Sequence, residues 1–366
     1  MESIKKKTVK GVWWSFADNI SSSGITFLVG IILARILSPA EFGLIGMITI
    51  FIAVSNSIVD SGFSSALIRK AKTKDIDFNT VFYFNLCLSI VLYLILFFCA
   101  PAIGKFFNEP ILNPITKVMG SILIINAFGI VQRTLLVKEV DFKTQTKISL
   151  IASIISGVIG VWMALRGFGV WSLVGQQISR QFLNSIFLWV FNAWRPAWEF
   201  SVKSFHELFG FGSKLLISSL IDTIYRNIFY LIIGKFLGMY SVGILSRAKG
   251  TIGLFDRAVT SAIQPVLLPY FSKENREGED IKGPFLHVTM CVTGLVWPAL
   301  IYMIIMAEPL ILVLYGDQWA HAAILLQIIC IRQLMGRLMA YAHPVLMSKG
   351  KVKALLKLQI ILVPLE

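Results

Sequence analysis

Apolar runs of about 20 residues recur from one end of this chain to the other, and they narrow its possible folds more than any other feature. In hydrocarbon every backbone N–H and C=O must be paired within the protein, so only helices and closed barrels cross. A barrel would show short alternating segments. These runs are continuous, and as helices they span roughly 30 Å. Charged residues make up 15% of the chain, against about 25% in soluble domains, and mean hydropathy is +0.75. The chain therefore reads as an all-α polytopic membrane protein. Its net charge of +14 would suggest nucleic acid in a soluble domain. Here the excess sits in connections between spans, and nucleic acid is not expected as a partner.

Spans are expected near 11–36, 42–67, 79–104, 115–136, 146–166, 170–192, 210–236, 242–270, 284–306 and 320–347, with an eleventh beginning near Ala354. Basic residues fall on alternate connections. Lys5, Lys6, Lys7 and Lys10 precede the first span. Arg69 to Lys74, Lys138 to Lys147, Arg195 and Lys203, Lys273 to Lys282, and Lys349 to Lys357 follow spans two, four, six, eight and ten. The opposite connections hold Arg35, Lys105, Arg166 and Lys235. This bias places the basic side and the N-terminus in the cytoplasm. Met1–Lys10 is too short for a separate region, and the run after it lacks a small-residue cleavage site, so the first helix is expected to stay uncleaved. No connection is long enough for an external catalytic domain. Cys87, Cys99, Cys291 and Cys330 stand singly in apolar spans and read as core residues, not metal or redox ligands.

An internal repeat organises these spans. Leu33-Ala34-Arg35-Ile36-Leu37 returns 200 residues on as Ile233-Gly234-Lys235-Phe236-Leu237, and Phe42-Gly43-Leu44 as Val242-Gly243-Ile244. Val59, Ser61 and Leu67 return as Val259, Ser261 and Leu267, and Ala100-Pro101-Ala102-Ile103 resembles Glu308-Pro309-Leu310-Ile311. Both copies start on the basic side, so they run parallel, as in transporters built from two lobes around a central cavity. The expected division is a six-helix lobe at 1–193, a cytoplasmic interfacial linker at 194–209 and a second lobe at 210–366. By the same count the second lobe is incomplete, with about 10–11 helices present in all. The linker mixes Trp, Phe, Lys and His, and reads equally as an interfacial strap or as an ordinary loop with aromatic anchors.

Polar residues inside spans are costly and mark function. Asp18, Ser22 and Thr26 lie at i+4 steps on one helical face, Asn56, Asp60 and Ser64 on another, Gln176, Arg180 and Asn184 on a third, and Lys214, Ser218, Asp222 and Arg226 on a fourth. Such faces must meet water or each other. The set is predominantly cationic, and arginine forks suit phosphate oxygens. Arg133, Arg180, Lys214, Arg226, Arg247, Arg332 and Arg337 are therefore candidate ligands for an anionic, phosphorylated cargo. Asp18, Asn56, Asp60, Asp222 and Asp256 are candidates for the cavity wall and for ion coupling. The alternative for span seven is that Lys214, Asp222 and Arg226 pair among themselves as structural glue. No Walker loop, metal motif or catalytic constellation is present, so neither ATP hydrolysis nor a cofactor is expected.

Ile32 to Leu44 resembles the first external turn of the polysaccharide-transport flippases of the multidrug/oligosaccharidyl-lipid/polysaccharide exporter superfamily. Asp60-Ser61-Gly62-Phe63-Ser64-Ser65-Ala66-Leu67-Ile68-Arg69 resembles that family's end of span two, and Tyr315-Gly316-Asp317-Gln318-Trp319 its turn before span ten. The resemblance implies two six-helix lobes working by alternating access without ATP, in a bacterial cytoplasmic membrane. It implies undecaprenyl-diphosphate-linked oligosaccharide as cargo, H+ or Na+ as the candidate coupling ions, and membrane lipids, a glycan polymerase and chain-length machinery as partners. Two rivals stand beside it. A drug/cation antiporter would want an acidic cavity, and a membrane glycan polymerase or ligase would want a large external loop.

Overall fold

The computed structural model describes residues 21–60, 62–70, 72–277 and 282–334, without the side chains of 261–285, 287, 288 and 291. Every regular element among the described residues is helical. α1 (Ser21–Ile36) is followed by α2 (Pro39–Asp60), α3 (Phe63–Arg69), α4 (Asp75–Phe107), α5 (Leu112–Lys138), α6 (Phe142–Leu165) and α7 (Val170–Phe191). After an irregular stretch come α8 (Val202–Glu277), α9 (Lys282–Ile305), α10 (Ala307–Tyr315) and a single 3-10 turn, Asp317–Trp319. α11 (Ala322–Leu334) closes the described residues.

Among the described residues, five helical segments are long and apolar enough to cross a membrane, or six if one bent pair counts as a single span. α7 has the length, at 22 residues, but is not among them. The polar face that marks it as a candidate site also lowers its hydropathy. The outward surfaces are apolar: Phe98 on α4 is 76% exposed, and Leu28, Val158, Trp162 and Val190 are exposed too. In water such a surface would be a liability, but against acyl chains it is the expected finish.

Local signals account for the helix ends. Ser38 caps α2 with Pro39 in its first turn, and Glu41 Oε2 accepts from both the Ser38 amide (2.7 Å) and its hydroxyl (2.9 Å), one half of a capping box. Asp141 caps α6 by accepting from the Thr144 amide. The expected turn between spans seven and eight is a single residue inside α8. Gly238 takes φ 77°, ψ 178°, a conformation essentially reserved for glycine. The two proline segments of the repeat differ in backbone. Pro101 lies within continuous α4, but the segment around Pro309 does not continue a single helix. Here the helix breaks after Ile305 and restarts as α10, bent by 72°.

The chain divides into two compact units, Met1–Ser246 and Arg247–Glu366. The boundary between these units falls within α8.

In the first unit, α4 and α5 pack side by side in opposite directions. Tyr93 lies against Gly120, and Lys117 sits 4.7 Å from the Phe97 ring centroid. α4 has 33 residues, about 50 Å of helix, so its first turns reach past the hydrocarbon. There the irregular stretch is tied down. The Ala197 amide donates to Asn79 Oδ1 (3.2 Å) and the Ser201 amide to Thr80 Oγ1 (3.0 Å). Trp194 packs edge-on against Phe78 and Phe82, and Trp198, 93% exposed, stacks on Tyr83 at 5.3 Å. These contacts tie residues 194–201 to the start of α4, as both the strap and the aromatic-anchored loop would have it.

The opposite end of this unit closes differently. A Cβ on Gly43 would lie 1.7 Å from the Met239 carbonyl oxygen, and one on Gly243 1.8 Å from the Pro39 carbonyl oxygen. Pro39 and Met239, like Gly43 and Gly243, are 200 residues apart. The two contacts are therefore one contact repeated by the internal symmetry. Only glycine allows backbones this close.

Candidate functional site

The polar faces read from the sequence prove half-buried on the first unit's helices. Asn56, Asp60 and Ser64 lie at the end of α2 and in α3, Arg133 on α5, and Gln176, Arg180 and Asn184 on α7. Asp60 accepts from the Ser64 hydroxyl, closing the Asp60–Ser64 step expected at i+4. Asn56 is part of something larger. It accepts from Asn126 Nδ2 at 3.0 Å, while Asn126 Oδ1 accepts from Gln181 Nε2 at 2.8 Å. Three amides from α2, α5 and α7 thus form one directional ladder. α7 is fixed beside it by Ser185, whose hydroxyl donates to the Ile125 carbonyl (2.7 Å), and by Trp189, whose indole N–H donates to the Phe128 carbonyl (2.8 Å).

On α8 the geometry takes the pairing alternative. Arg226 Nε donates to both carboxylate oxygens of Asp222, at 2.9 and 2.8 Å. The pair is open, with side chains 73% and 57% exposed, so Arg226 already has a counter-charge. Lys214 is exposed on the same helix. Ser219 joins α8 to α2, its hydroxyl 3.0 Å from that of Ser57.

The second unit carries Arg247 and Lys249 on α8 and Arg332 on α11. Tyr315, part of the turn motif at Tyr315–Trp319, holds its hydroxyl 2.9 Å from Thr251 Oγ1. Asp256 is half-buried further along α8. Asp18 and Arg337 lie outside the described residues. Among the described residues no group of three or more His, Cys, Asp or Glu is placed to hold a metal ion.

Sequence reasoning did not connect Asn126 with Gln181. Each is a single neutral amide on its own helix, and the i+4 pattern on α7 runs through Gln176, Arg180 and Asn184 instead. Their link is visible only across helices. Asn85 and Gln132, both fully buried, were also missed. Their amide atoms have no partner among the described residues.

Comparison with known proteins gives a consistent result. The family described as polysaccharide biosynthesis protein matches residues 32–324. The succinoglycan biosynthesis transport protein ExoT of Rhizobium meliloti (strain 1021) is 28% identical over 320 residues, covering 87% of this chain and 65% of that one. The teichuronic acid biosynthesis protein TuaB of Bacillus subtilis (strain 168) is 26% identical over 356 residues, covering 96% of this chain and 73% of that one. The chain thus spans only part of the length of these curated relatives. Among solved structures, a multidrug resistance MATE family transporter of the MOP superfamily, in an inward-facing conformation, is similar with TM-score 0.68 at 13% identity, covering 96% of this chain and 88% of that one. At that identity the likeness speaks for the fold, which is that of the MOP transporters.

Proposed function

The chain belongs to the polysaccharide biosynthesis protein family, and from that premise we propose that it flips undecaprenyl-diphosphate-linked oligosaccharide across the bacterial cytoplasmic membrane. The observation that carries this reading is the family match over residues 32–324. The chemistry of the polar residues supports it. The diphosphate meets the cations Arg247, Lys249 and Arg332, the glycan occupies a wet polar space, and the lipid tail stays among acyl chains. Arg133, Arg180, Lys214 and Arg337 remain further candidate ligands for the phosphates, while Arg226 shares its charge with Asp222 and contributes less.

In this reading the basic end of the first unit is cytoplasmic, following the distribution of Lys and Arg. The repeats form two lobes, joined by residues 194–209, that rock in alternating access. The Gly43–Gly243 contact is then the external seam. No nucleotide drives the cycle, and the chain is a transporter, not an enzyme. Asp18, Asn56, Asp60, Asp222 and Asp256 remain the candidates for coupling to H+ or Na+. Undecaprenyl-linked glycan, membrane lipids and the polymerase machinery are its partners. These basic residues argue against a drug/cation antiporter, which needs acidic groups to hold its cargo.

Deleting the gene in the source organism tests the reading. The surface polysaccharide should be lost while its intact lipid-linked repeat unit accumulates on the cytoplasmic leaflet. Normal polymer on the cell surface without the protein would refute it.

A further inference from the structure

The amide ladder Asn56–Asn126–Gln181 is built of neutral groups, and its placement is unusual. Asn126 lies near the middle of α5 (Leu112–Lys138), and Gln181 near the middle of α7 (Val170–Phe191). Neutral amides at this depth are costly unless they meet partners or water. The ladder satisfies only its centre. Asn126 uses Nδ2 toward Asn56 and Oδ1 toward Gln181. At its two ends the Asn56 NH2 and the Gln181 carbonyl oxygen have no partner among the described residues, and neither is sealed from solvent.

A ladder serving only to join three helices would end on backbone groups, as the neighbouring Ser185 and Trp189 do. This one ends instead on one open donor group and one open acceptor, between two polar faces. One face is Asp60 and Ser64. The other is Arg180 and Asn184. All four side chains are half-buried. An open N–H donor and an open C=O acceptor, both neutral, do not suit a phosphate, which offers only acceptors. They suit a hydroxyl, which donates and accepts at once.

We propose that Asn56, Asn126 and Gln181 form a glycan subsite in which the open ends of the amide ladder bind hydroxyls of the sugar head and Asn126 holds both ends in register. The proposal rests on the flippase reading and adds where in the first unit the sugar, as distinct from the phosphate, is recognised. A site built to hydrogen-bond a hydroxyl rejects a ligand lacking it, because its polar groups are left unpaired. The subsite therefore selects lipids that carry sugar over the bare carrier.

The test is equilibrium binding to the full chain purified in detergent, with two probes. One is undecaprenyl-diphosphate-linked oligosaccharide extracted from the source organism. The other is undecaprenyl diphosphate alone. Wild type is compared with Asn126→Leu, which deletes the register, and with Gln181→Glu, which keeps shape but reverses the donor facing Asn126. Both variants should bind the sugar-bearing probe about tenfold more weakly, the equivalent of one well-made hydrogen bond, and bind the bare carrier as wild type does. Gln181→Glu, nearly isosteric, carries the test should Asn126→Leu fail to fold. Equal loss for both probes, or no loss for either, would overturn the subsite. Wild type that binds neither probe would overturn the flippase reading itself, and the subsite with it.

Discussion

The two ends of the first unit are closed by opposite means. At one end α2 and α8 touch through backbone, Gly43 against Met239 and Gly243 against Pro39, with room for no Cβ on either side. Lys235 adds a single tether, its ammonium 2.6 Å from the Phe106 carbonyl. At the other end contact runs through long side chains. Lys70 bridges Asp77 (3.1 Å) and Glu207 (3.0 Å), and Lys138 reaches the carbonyls of Leu67 and Lys70 and the Thr73 hydroxyl. Arg69 lies 4.3 Å from the Phe211 ring centroid. A backbone seam has no slack and is either formed or not. Side chains of four or five bonds can follow a moving partner. The first end is thus built as a two-state closure and the second as a compliant tether.

Substitutions can break this comparison, beginning with the seam. Gly43→Ala, or its repeat mate Gly243→Ala, places a methyl inside a carbonyl's contact distance. Overpacking there should cost about 3 kcal/mol against the closed seam, roughly a hundredfold in the balance of states. Export should collapse while membrane abundance on an immunoblot stays near wild type, and wild-type export from either variant would end the two-state description. At the other end Trp194→Ala removes the packing on Phe78 and Phe82. Because Trp194 is only half-buried, the loss should be about 2 kcal/mol, seen as a lower melting temperature in detergent with export per molecule retained.

Lys70→Met is smaller, about 1–2 kcal/mol. It leaves the buried Asp77 carboxylate with other donors, including the Lys74 amide (3.0 Å). Its pH dependence sharpens the point. Burial alone would lower the Lys70 ammonium, but hydrogen bonds to Glu207 and Asp77 outweigh it and raise its pKa above the ordinary 10.5. A raised cationic pKa stabilises fully below the ordinary value and fades as pH rises through the folded one. The deficit of Lys70→Met should therefore be constant from neutral pH to about 9 and shrink only in stronger alkali, as urea titrations of both proteins would show. Glu207→Gln, at an exposed partner, should change stability by less than about 1 kcal/mol. A larger loss there than at the seam would invert the comparison.

Much of this was legible in the sequence, because membrane helices announce themselves by length and hydropathy, and a repeat at a constant offset of 200 over residues 33–67 shows itself by simple comparison. Gly43 and Gly243 stood out as repeat mates before their contact was known. The family resemblance drawn from Ile32–Leu44 and Asp60–Arg69 is borne out by the match over 32–324. Other features depended on distance between helices, which a single sequence does not encode. The i+4 pattern on α8 allowed Arg226 to be either a ligand or the partner of Asp222, and only geometry separates the two. The ladder through Asn126 joins residues 55 and 70 positions apart. The bend before α10 was hidden because Pro309 follows the same local pattern as Pro101, which lies in an unbroken helix. A similar motif gives different backbone in the two repeats.

The central claim is that lipid-linked oligosaccharide crosses by a path whose external closure is the Gly43–Gly243 seam. The most direct test is flipping in proteoliposomes containing the full chain, with undecaprenyl-diphosphate-linked oligosaccharide from the source organism and a membrane-impermeant glycosidase outside. Wild type should expose the inner-leaflet glycan to the enzyme far faster than protein-free vesicles, and Gly43→Ala should lose most of that acceleration while still binding the lipid. Wild-type exposure no faster than in protein-free vesicles would contradict the account.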